Sequence, residues 1–570
     1  MKHTQYLNTK IILLVIGIIF FNFVRSYSQP QGWQWAKSAG SLNGSDGGNI
    51  AIDASGNVFM AGTFGSPSIT FGFTTLLNKG NDDVFIAKYH SSGNVFWAQG
   101  FGRSDIESAR GIKIDASGNI FVTGTFKGPT IVFDTDTLTN HSVNNYDFFL
   151  VKLNTNGNVL WAKSFGGSSS DYASDINLGS DGSIVVSGSF SSPTITFGDT
   201  TLTISDSSSY FYDAFVVKFD ADGNTIWAKK GDGSQVDYGY GNCIDASSNI
   251  YVTGSFRSPT ISFGDITLTN NGNWDMFVVK YDADGNVLWA KSAGGIQYED
   301  GRKIIQSENG GIIVTGILAG SSAVFGDTVL STRGGFDILL VKYDTNGNIL
   351  WARNEGGINN DRGTLIVESE KYILSGEFNS PTIAFGDTIL SSAGGYDAFV
   401  AVFDLNWNII NAFTIGGPLD DGGIVDVDPN GMVYTLGGFQ SPQLHFGTIT
   451  LNNLDTLNPQ TDLFLAKHSP FTEVKEDGNA QFDFSLKQNY PNPFNPQTAI
   501  SFSLLAVGNV TLKVYDILGR EVATLINNEI MEAGRHEIQF DGSTLTSGVY
   551  FYRLNVDGKF SETKKLLLMK

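Results

Sequence analysis

The sequence predicts an all-β protein, a seven-bladed β-propeller followed by a small antiparallel β-sandwich. Three observations support this fold class. A tryptophan-containing phrase recurs at nearly constant spacing, the last repeat lacks a strand that the chain's start supplies, and the composition is rich in turn-forming and aromatic residues. The 67 glycines and 12% aromatic residues, with only 16% charged residues, are typical of β-rich proteins with many tight turns.

The tryptophan phrase marks the repeat. Trp-Ala-Lys or a close variant begins at Trp35, Trp97, Trp161, Trp227, Trp289 and Trp351, and a seventh copy has Asn411 instead. Each unit contains four apolar runs, A to D, joined by Asx-Gly turns that favour antiparallel hairpins. Runs such as residues 277–279 are apolar on both faces, which suits strands packed between neighbouring sheets. A Pro-Thr-Ile-x-Phe-Gly-Asp segment between B and C predicts one extra hairpin per unit.

The two ends of the repeat predict a closed ring. The seventh unit stops after its strand C, at residues 462–467, whereas the chain begins with an unpaired strand D around Trp35. Pairing the two completes the last blade and removes two exposed sheet edges. An open solenoid would instead need caps at both ends. The propeller is therefore expected to span residues 30–468.

One repeat carries a family resemblance. The stretch 109–126, Ala-Arg-Gly-Ile-Lys-Ile-Asp-Ala-Ser-Gly-Asn-Ile-Phe-Val-Thr-Gly-Thr-Phe, resembles the bacterial β-propeller repeat family called SBBP. Related stretches lie at 50–64 and 243–256, and looser ones at 301–316 and 363–378. The resemblance covers most of 32–468. It implies a propeller fold and extracellular placement, and it implies no activity.

The N-terminus and the composition indicate the compartment. Lys2 and Lys10 precede or flank an apolar run at 11–24 that ends in small and polar residues, so residues 1–29 are expected to be a secretory signal peptide. The run is short for a membrane span; an uncleaved anchor is the alternative to cleavage, and we expect no integral membrane protein. The single cysteine, Cys243, excludes an intrachain disulfide and is expected to be a buried thiol. A net charge of −21 argues against nucleic acid as a partner.

The C-terminal segment differs in pattern from the repeats. After a polar linker at 469–481, residues 482–570 alternate short apolar strands with Gly, Asn and Pro turns, which predicts a small antiparallel sandwich. The motifs at 489–496, 510–522, 547–554 and 564–570, in this order, resemble the type A sorting domain of the type IX secretion system. The resemblance implies recognition by the type IX secretion machinery and a product that is secreted or attached to the outer cell surface. A C-terminal sandwich used for binding is the alternative.

Acidic residues recur at two positions of the repeat. One precedes the strand B glycine by 15–17 positions, at Asp46, Glu107, Asp171, Asp237, Asp300, Asp361 and Asp421. The other opens strand C, at Asp83, Asp147, Asp213, Asp275, Asp337, Asp397 and Asp462. The D-to-A and B-to-C loops lie on the same face of a propeller, so this face is predicted to carry both rings and the extra hairpins. Either the carboxylates cap local backbone N–H groups, or the first ring binds a cation or a hydroxyl-rich ligand, with calcium the one candidate cofactor.

No catalytic residue, cofactor-binding residue or committed metal ligand follows from the motifs. Asp220 and Asp282 begin loops that resemble a calcium loop, but Gly231 and Ala293 stand where the ligating glutamate belongs, so hairpin turns are favoured. No histidine falls into a triad pattern. We therefore expect a secreted or cell-surface binding or scaffold protein for a carbohydrate or protein ligand. The alternative is an extracellular polysaccharide hydrolase or lyase that uses carboxylates of the propeller face.

The near-uniform repetition favours a binding protein over an enzyme, because a catalytic site usually makes one blade differ. Units five to seven do depart from the pattern. Leu318 replaces a phenylalanine, Val402 a lysine and Asn411 the tryptophan. Tryptophans at the other units are expected to lie wedged between blades.

Overall fold

The chain divides into two compact units, with the boundary between Phe471 and Thr472. The computed structural model describes residues 32–40, 45–103, 105–205, 211–307, 310–320, 322–368, 371–454, 460–471, 485–489, 491–504, 507–531, 534–557 and 560–570. The expected signal peptide, 1–29, and residues 472–481 of the expected linker lie outside the described residues.

The described strands of the first unit form seven groups of four antiparallel strands, here called blades 1 to 7; six are four-stranded sheets, and the fourth is part of a six-stranded sheet that the hairpin of the fifth extends. Strands A to D are, in blade 1, Ser45–Ile52, Val58–Phe64, Asp83–Tyr89 and Val95–Phe101; in blade 2, Glu107–Ile114, Ile120–Phe126, Asp147–Leu153 and Val159–Phe165; in blade 3, Asp171–Leu178, Ile184–Phe190, Asp213–Phe219 and Thr225–Lys230; in blade 4, Asp237–Ile244, Ile250–Phe256, Asp275–Tyr281 and Val287–Gly295. They are, in blade 5, Tyr298–Gln306, Ile312–Ala319, Phe336–Tyr343 and Ile349–Glu355; in blade 6, Asp361–Glu368, Lys371–Phe378, Asp397–Asp404 and Ile409–Ile415; in blade 7, Asp421–Val427, Val433–Phe439, Asp462–His468 and Trp33–Ala39.

The blades form a closed ring, which confirms the propeller. Each strand A contacts strand A of the next blade, and strand A of blade 1 contacts that of blade 7. Blade 7 is completed by the N-terminal strand, in which Trp35 pairs with Lys467 and Ala39 with Leu463. The predicted closure of the ring by its two ends is therefore confirmed. Strands B and C are buried on both faces because they lie between neighbouring blades, as Phe277 and Val278 show.

The extra hairpins form as predicted, between strands B and C of each blade. They are Ser68–Phe71 with Thr74–Leu77, Thr130–Phe133 with Asp136–Thr139, Thr194–Phe197 with Thr200–Thr203, Thr260–Phe263 with Ile266–Thr269, Ala323–Phe325 with Thr328–Leu330, Thr382–Phe385 with Thr388–Ser391, and Gln443–Phe446 with Ile449–Asn452. A two-residue strand, Asp232–Gly233, pairs with the fourth hairpin.

The position of the hairpins differs from the expectation that they stand on the ligand face. Each hairpin packs against strand D of its own blade and against strand D of the preceding blade, or, in blade 4, against the short Asp232–Gly233 strand that follows it. The hairpin tip reaches the start of strand D, as Gly264 does at Val287. The physical reason is the apolar pair of each hairpin, such as Ile261 and Phe263, which is buried in the core between two blades. The hairpins therefore lie along the outer rim.

The tryptophans of strand D join consecutive blades, as expected. Trp227 Nε1 donates a hydrogen bond to the carbonyl of Ala283 in the next blade's C-to-D turn, at 3.0 Å. Gly285 of that turn has a φ of 83°, and its counterpart Gly223 has a φ of 72°. A Cβ at Gly285 would lie 2.9 Å from the Trp227 ring. Strand C lysines bind the same turns, since Lys218 Nζ donates to the same carbonyl of Ala283.

This contact explains two of the departures in blade 6. The next blade, blade 7, is joined from the two ends of the chain and has no C-to-D turn, so its strands C and D are not consecutive. A tryptophan at position 411 and a lysine at position 402 would have no turn to bind. Asn411 and the fully buried Val402 stand there instead, and Phe413 packs against Phe471 nearby.

The described strands of the second unit form two antiparallel sheets. One consists of Ser485–Leu486, Gln497–Leu504 and Gly534–Asp541, and the other of Glu521–Met531, Gly508–Tyr515, Gly548–Val556 and Phe560–Leu568. The Asn-Pro motif connects to the last strand, because Asn492 Oδ1 accepts a hydrogen bond from the Leu567 amide and the Phe494 amide donates to the Leu567 carbonyl. Phe494 is buried in the core of this unit, so the motif stabilises the C-terminal strand.

Candidate functional site

The predicted ring carboxylates lie at the face that carries the D-to-A and B-to-C loops, here called the upper face, and those that the structure describes are buried. Their side chains are 0–1% exposed; they are Glu107, Asp171, Asp237, Asp300, Asp361 and Asp421. The backbone of Asp46 is in strand A of blade 1, where Asp46 pairs with Thr63 and Ser45 takes the register of Asp171 opposite a phenylalanine; the side chain of Asp46 lies outside the described part of the chain. Binding of a cation or sugar by this ring stays a prediction.

Asp171 shows what most of these carboxylates contact. Oδ1 accepts the backbone N–H groups of Ser191 and Ser192, and Oδ2 accepts the Ser192 hydroxyl at 2.7 Å and the Gly167 amide at 2.8 Å. The serine of a Ser-Pro dipeptide has the same role for three further ring carboxylates, and these pairs are Asp237–Ser258, Asp361–Ser380 and Asp421–Ser441. We call this set of hydrogen bonds around a ring carboxylate the clamp. The recurring Ser-Pro dipeptide is its sequence signal, and sequence reasoning missed it.

In blade 5 the ring position belongs to Glu299 rather than to Asp300. Glu299 pairs with Leu318 of strand B, as Asp171 pairs with Phe190, and it accepts the Gly295 amide at 2.8 Å. Asp300 is one residue further along the strand, so its side chain points to the opposite face of the sheet, where it binds Arg302 at 2.8 Å. Spacing alone misassigned this member because strand A carries a bulge of variable length.

The strand C aspartates adjoin the first ring across each junction between blades, here called a seam. Asp275 Oδ2 accepts the Asn271 amide at 3.0 Å, while its Oδ1 lies 2.6 Å from where a Cβ of Gly294 would stand, with Glu299 Oε2 at 2.9 Å from the same point. Burial raises the pKa of Asp275 to about 6, and burial together with the Asp275 charge raises the pKa of Glu299 to about 7. The described residues contain no group of three or more His, Cys, Asp or Glu side chains that suits a metal ion.

The loops that resemble calcium loops are closed by their own side chains. Asp282 Oδ1 accepts the amides of Asp284 and Asn286, and Oδ2 accepts the Asn286 side-chain amide. These hydrogen bonds from Asn286 lower the pKa of Asp282. Cys243 is a buried free thiol.

The seams of blades 2 to 5 carry adjoining aromatic side chains on the upper face, of which Tyr238 and Trp274 are parallel. Seven half-buried rings follow one another with centroids 5.4–6.2 Å apart, and we call this set the aromatic arc: Tyr146, Tyr172, Tyr212, Tyr238, Trp274, Tyr298 and Phe336. Strand C contributes the residue before its aspartate, and strand A a residue next to its ring carboxylate. Each position of the arc is therefore next to a carboxylate of one of the two rings.

Seam 6–7 has glycine at the strand A arc position that tyrosine fills in seams 2–3 and 3–4. At the position of Tyr172 and Tyr238 blade 7 has Gly422, and the strand B residue paired with it is Gly438, where blades 3 and 4 have serines. A cavity of about 560 Å³, here called the seam pocket, results. Its glycine floor is lined by polar side chains, among them Arg362, Glu377, Tyr396, Asp420, Gln440 and Thr461.

The seam pocket is charged on both sides. Arg362 and Glu377, paired across strands A and B of blade 6, form an ion pair at 3.5 Å. Burial raises the pKa of Glu377, Arg362 opposes this and the charge of Asp420 adds to it. Asp420 is exposed and accepts the Tyr396 amide at 2.9 Å. Carboxylates, a guanidinium and an aromatic ring therefore converge on one cavity of the size typical of small-molecule sites, about 300–1,000 Å³.

Sequence reasoning did not find the seam pocket. The signal is a pair of positions, one on strand A and one on strand B, that face each other in every blade. The pair is Ser108 and Thr125 in blade 2, Tyr238 and Ser255 in blade 4, Arg362 and Glu377 in blade 6, and two glycines in blade 7. Only the strand pairing brings these positions together.

Residues 488–569 match the family model described as the secretion system C-terminal sorting domain. A tail of this family marks the chain for export by type IX secretion, to the cell surface or the medium. No helix in the described part of the chain is long and apolar enough to cross a membrane.

Two curated proteins resemble part of this chain. An uncharacterized WD repeat-containing protein of Acanthamoeba polyphaga mimivirus is 25% identical over 437 residues, covering 62% of this chain and 31% of that protein. The regulatory protein FlaEY of Caulobacter vibrioides is 24% identical over 316 residues, covering 51% and 32%. The chain thus spans about a third of the length of the curated relatives that it matches.

Solved structures with a similar chain path are distant. A puromycin hydrolase mutant matches with a TM-score of 0.38 at 10% identity, covering 82% of this chain and 60% of that one. The WD40 domain of Neurospora crassa Pan2 matches with a TM-score of 0.27 at 11% identity, covering 58% and 86%.

Proposed function

We propose that this protein is an exported propeller that binds a carbohydrate in the seam pocket at the cell surface or in the medium. The observation that carries the proposal is that Gly422 and Gly438 stand where blades 3 and 4 have a tyrosine and a serine, and that a cavity lies at this position. The resemblance of the repeats to the SBBP family and the sorting tail support an extracellular role. Residues 482–570 would then serve the type IX machinery, and the propeller the ligand.

The residues of the pocket suit a hydroxyl-rich ligand. Glu377 and Asp420 offer carboxylate oxygens that accept hydrogen bonds from hydroxyl groups, and Arg362 donates in a fixed fork. Tyr396 adds an aromatic surface with a polar end. Backbone carbonyls and amides of the glycine floor can approach a ligand closely because no Cβ intervenes.

A matched pair of variants tests the pocket. Gly422→Tyr restores the side chain that blades 3 and 4 carry at this position, where a Cβ would meet only Glu377 Oε2, at 3.0 Å. Ser108→Tyr adds the same ring at the equivalent position of blade 2 and serves as the control. The full chain is applied to a glycan array, and its hits are titrated by calorimetry. We expect Gly422→Tyr to lower affinity at least about tenfold and Ser108→Tyr to leave it unchanged. Absence of any glycan hit, or equal loss in both variants, would refute the proposal.

A hydrolase or lyase acting on extracellular polysaccharide is the second candidate. The observation that favours it is Glu377, a half-buried carboxyl whose pKa is raised by burial, beside the exposed Asp420, since two neighbouring carboxyl groups in different environments suit glycosidic cleavage. Each glycan hit is incubated with the wild type and with Glu377→Gln, and new reducing ends are counted. Turnover that Glu377→Gln abolishes would establish the enzyme, and binding without turnover would establish the binding protein.

A further inference from the structure

The aromatic arc is a surface feature that the seam pocket alone does not explain. Its seven rings run without a gap from seam 2–3 to the edge of seam 5–6, and each is partly exposed. Tyr238 and Trp274, at its centre, are parallel within 3° at a centroid distance of 5.5 Å. The arc therefore extends over four of the blades as a continuous aromatic track.

The arc is not needed to close the seams. A parallel bridge joins Tyr212 to Val236 at seam 3–4 and Trp274 to Tyr298 at seam 4–5. The same bridge joins Asp82 to Ile106 at seam 1–2, where the arc position next to Glu107 is Ser108. Because the backbone is joined equally well without aromatic side chains, the choice of aromatic residues at three seams needs another reason.

The exposed side of the arc is polar as well as aromatic. Burial raises the pKa of Tyr146 and Tyr238, and it raises the pKa of Tyr212 to about 12, so these phenols stay neutral and can both donate and accept hydrogen bonds. Cations flank the track, since Lys127 Nζ lies 5.9 Å from the Tyr146 ring centroid. Arg302 lies over the ring of Tyr240, whose centroid is 5.8 Å from that of Tyr238. Phenol groups and the partly exposed rings together match a ligand that has both C–H surfaces and hydroxyl groups.

The arc leads to the seam pocket. Its last ring, Phe336, donates its backbone N–H to Asn360 Oδ1 at 3.1 Å. Two residues further along, Arg362 lines the pocket and pairs with Glu377. The track and the cavity are thus neighbours on one face, at consecutive seams.

We propose that the aromatic arc is a series of subsites for a linear polysaccharide, one end of which occupies the seam pocket. This inference rests on the proposed carbohydrate binding and adds that the ligand is a polymer read along four blades. Ring centroids 5.4–6.2 Å apart repeat at a distance comparable to one pyranose unit, so successive sugars of a chain meet successive rings. A short sugar needs only the pocket, whereas a long one gains contacts along the arc.

The experiment measures affinity against chain length. The full-length protein is titrated with β-1,4-glucan, chitin, xylan and polyuronate oligosaccharides, each from disaccharide to octasaccharide. Each of two arc variants replaces an aromatic residue by the residue that stands at the same position in a blade without a ring there. Trp274→Thr copies Thr461 of blade 7, and Tyr212→Asp copies Asp82 of blade 1. Phe96→Thr, an exposed aromatic residue on strand D away from the arc, is the control, and thermal melting verifies that each variant is folded.

We expect affinity to rise at least about tenfold from disaccharide to octasaccharide, equal to about 1.4 kcal/mol. Both arc variants should lose this gain and keep the disaccharide affinity, and Phe96→Thr should keep both. Disaccharide binding that does not strengthen with length, or a length gain that survives both arc substitutions, would overturn the inference and leave the seam pocket proposal intact. Loss of disaccharide binding in Gly422→Tyr with no effect of the arc variants would likewise support the pocket alone.

Discussion

Seams 3–4 and 6–7 have the same backbone and different contents. In both seams, the backbone N–H of the ring aspartate in the later blade donates to the backbone carbonyl of the residue before the strand C aspartate. The N–O distance is 2.7 Å from Asp237 to Tyr212 and 2.6 Å from Asp421 to Tyr396. In both, a Ser-Pro serine binds the same carboxylate. Yet seam 3–4 contains the adjacent rings of Tyr212 and Tyr238, which are tilted by 40°, whereas seam 6–7 has Gly422 at the strand A position.

The difference teaches which residues are free to vary. The carboxylate clamps and the tryptophan contacts hold the blades together, whereas the residue beside the clamp makes neither of these contacts. That position can be aromatic, charged or glycine without changing the ring. A repeat protein can therefore build one distinct site on an otherwise regular frame.

The largest effect should come from the tryptophan contacts. Trp289 donates to the Thr345 carbonyl at 3.1 Å and covers Gly347 of the next blade, so we expect Trp289→Ala to lower the free energy of unfolding by about 3–5 kcal/mol. Asn411→Ala, at the matched position where no turn follows, should change it by about 0.5 kcal/mol or less. Denaturant unfolding followed by fluorescence measures both. Equal losses would show that the contact with the next blade is not what stabilises the tryptophan position.

A glycine substitution should separate the two kinds of seam next. A Cβ at Gly166 would lie 2.1 Å from Asp147 Oδ1 inside a filled seam, so Gly166→Ala should destabilise the propeller by about 1–3 kcal/mol. Gly422→Ala meets only the end of Glu377 and should be tolerated. Thermal melting of the two variants decides this, and a Gly422→Ala variant that melts as early as Gly166→Ala would contradict the open seam.

The clamp itself should show a smaller, comparable loss. Asp171→Asn keeps the shape of the side chain and replaces one acceptor by a donor that faces N–H or O–H groups, which should cost about 1–2 kcal/mol. Asp420→Asn, on the exposed carboxylate of seam 6–7, should cost about 0.5 kcal/mol or less. Denaturation midpoints measure the contrast, and an unaffected Asp171→Asn would remove the clamp from the account of seam stability.

The smallest effect concerns pH at seam 1–2. Burial, with the nearby charge of Asp83, raises the pKa of Glu107 to about 8 from 4.5. The folded protein therefore holds a proton that the unfolded chain releases, and this stabilisation is full below about pH 4.5 and is lost as pH rises to about 8. Glu107→Gln should melt higher than the wild type near pH 8, by a few degrees at most, and this advantage should shrink toward pH 5. The exposed Asp199→Asn is the control, and a difference that does not vary with pH would contradict the buried proton.

Much of the molecule follows from local pattern. The strands, the Asx-Gly turns and the closing strand at Trp35 are predictable because hydrophobic periodicity and turn chemistry act within a few residues. The compartment follows from the tail motifs. The clamps were predictable in kind, as backbone caps, but the serine that completes each clamp lies about 20 residues away, as Ser192 does from Asp171.

The sequence by itself determined the architecture of this protein, because each repeat contains the hydrophobic periodicity and turn residues that specify its own strands. In addition, the strand missing at one end of the repeats matches the extra strand at the other end. Only the tertiary structure decided that Glu299 and not Asp300 joins the ring, and that the hairpins cover the rim. It also decided why Asn411 and Val402 replace a tryptophan and a lysine, since blade 7 has no C-to-D turn for those side chains to contact. The seam pocket belongs to the same class. Gly422 and Gly438 are 16 residues apart and become one opening only when antiparallel pairing places them side by side, so the physical origin of the site is strand register, which no spacing in the chain reports.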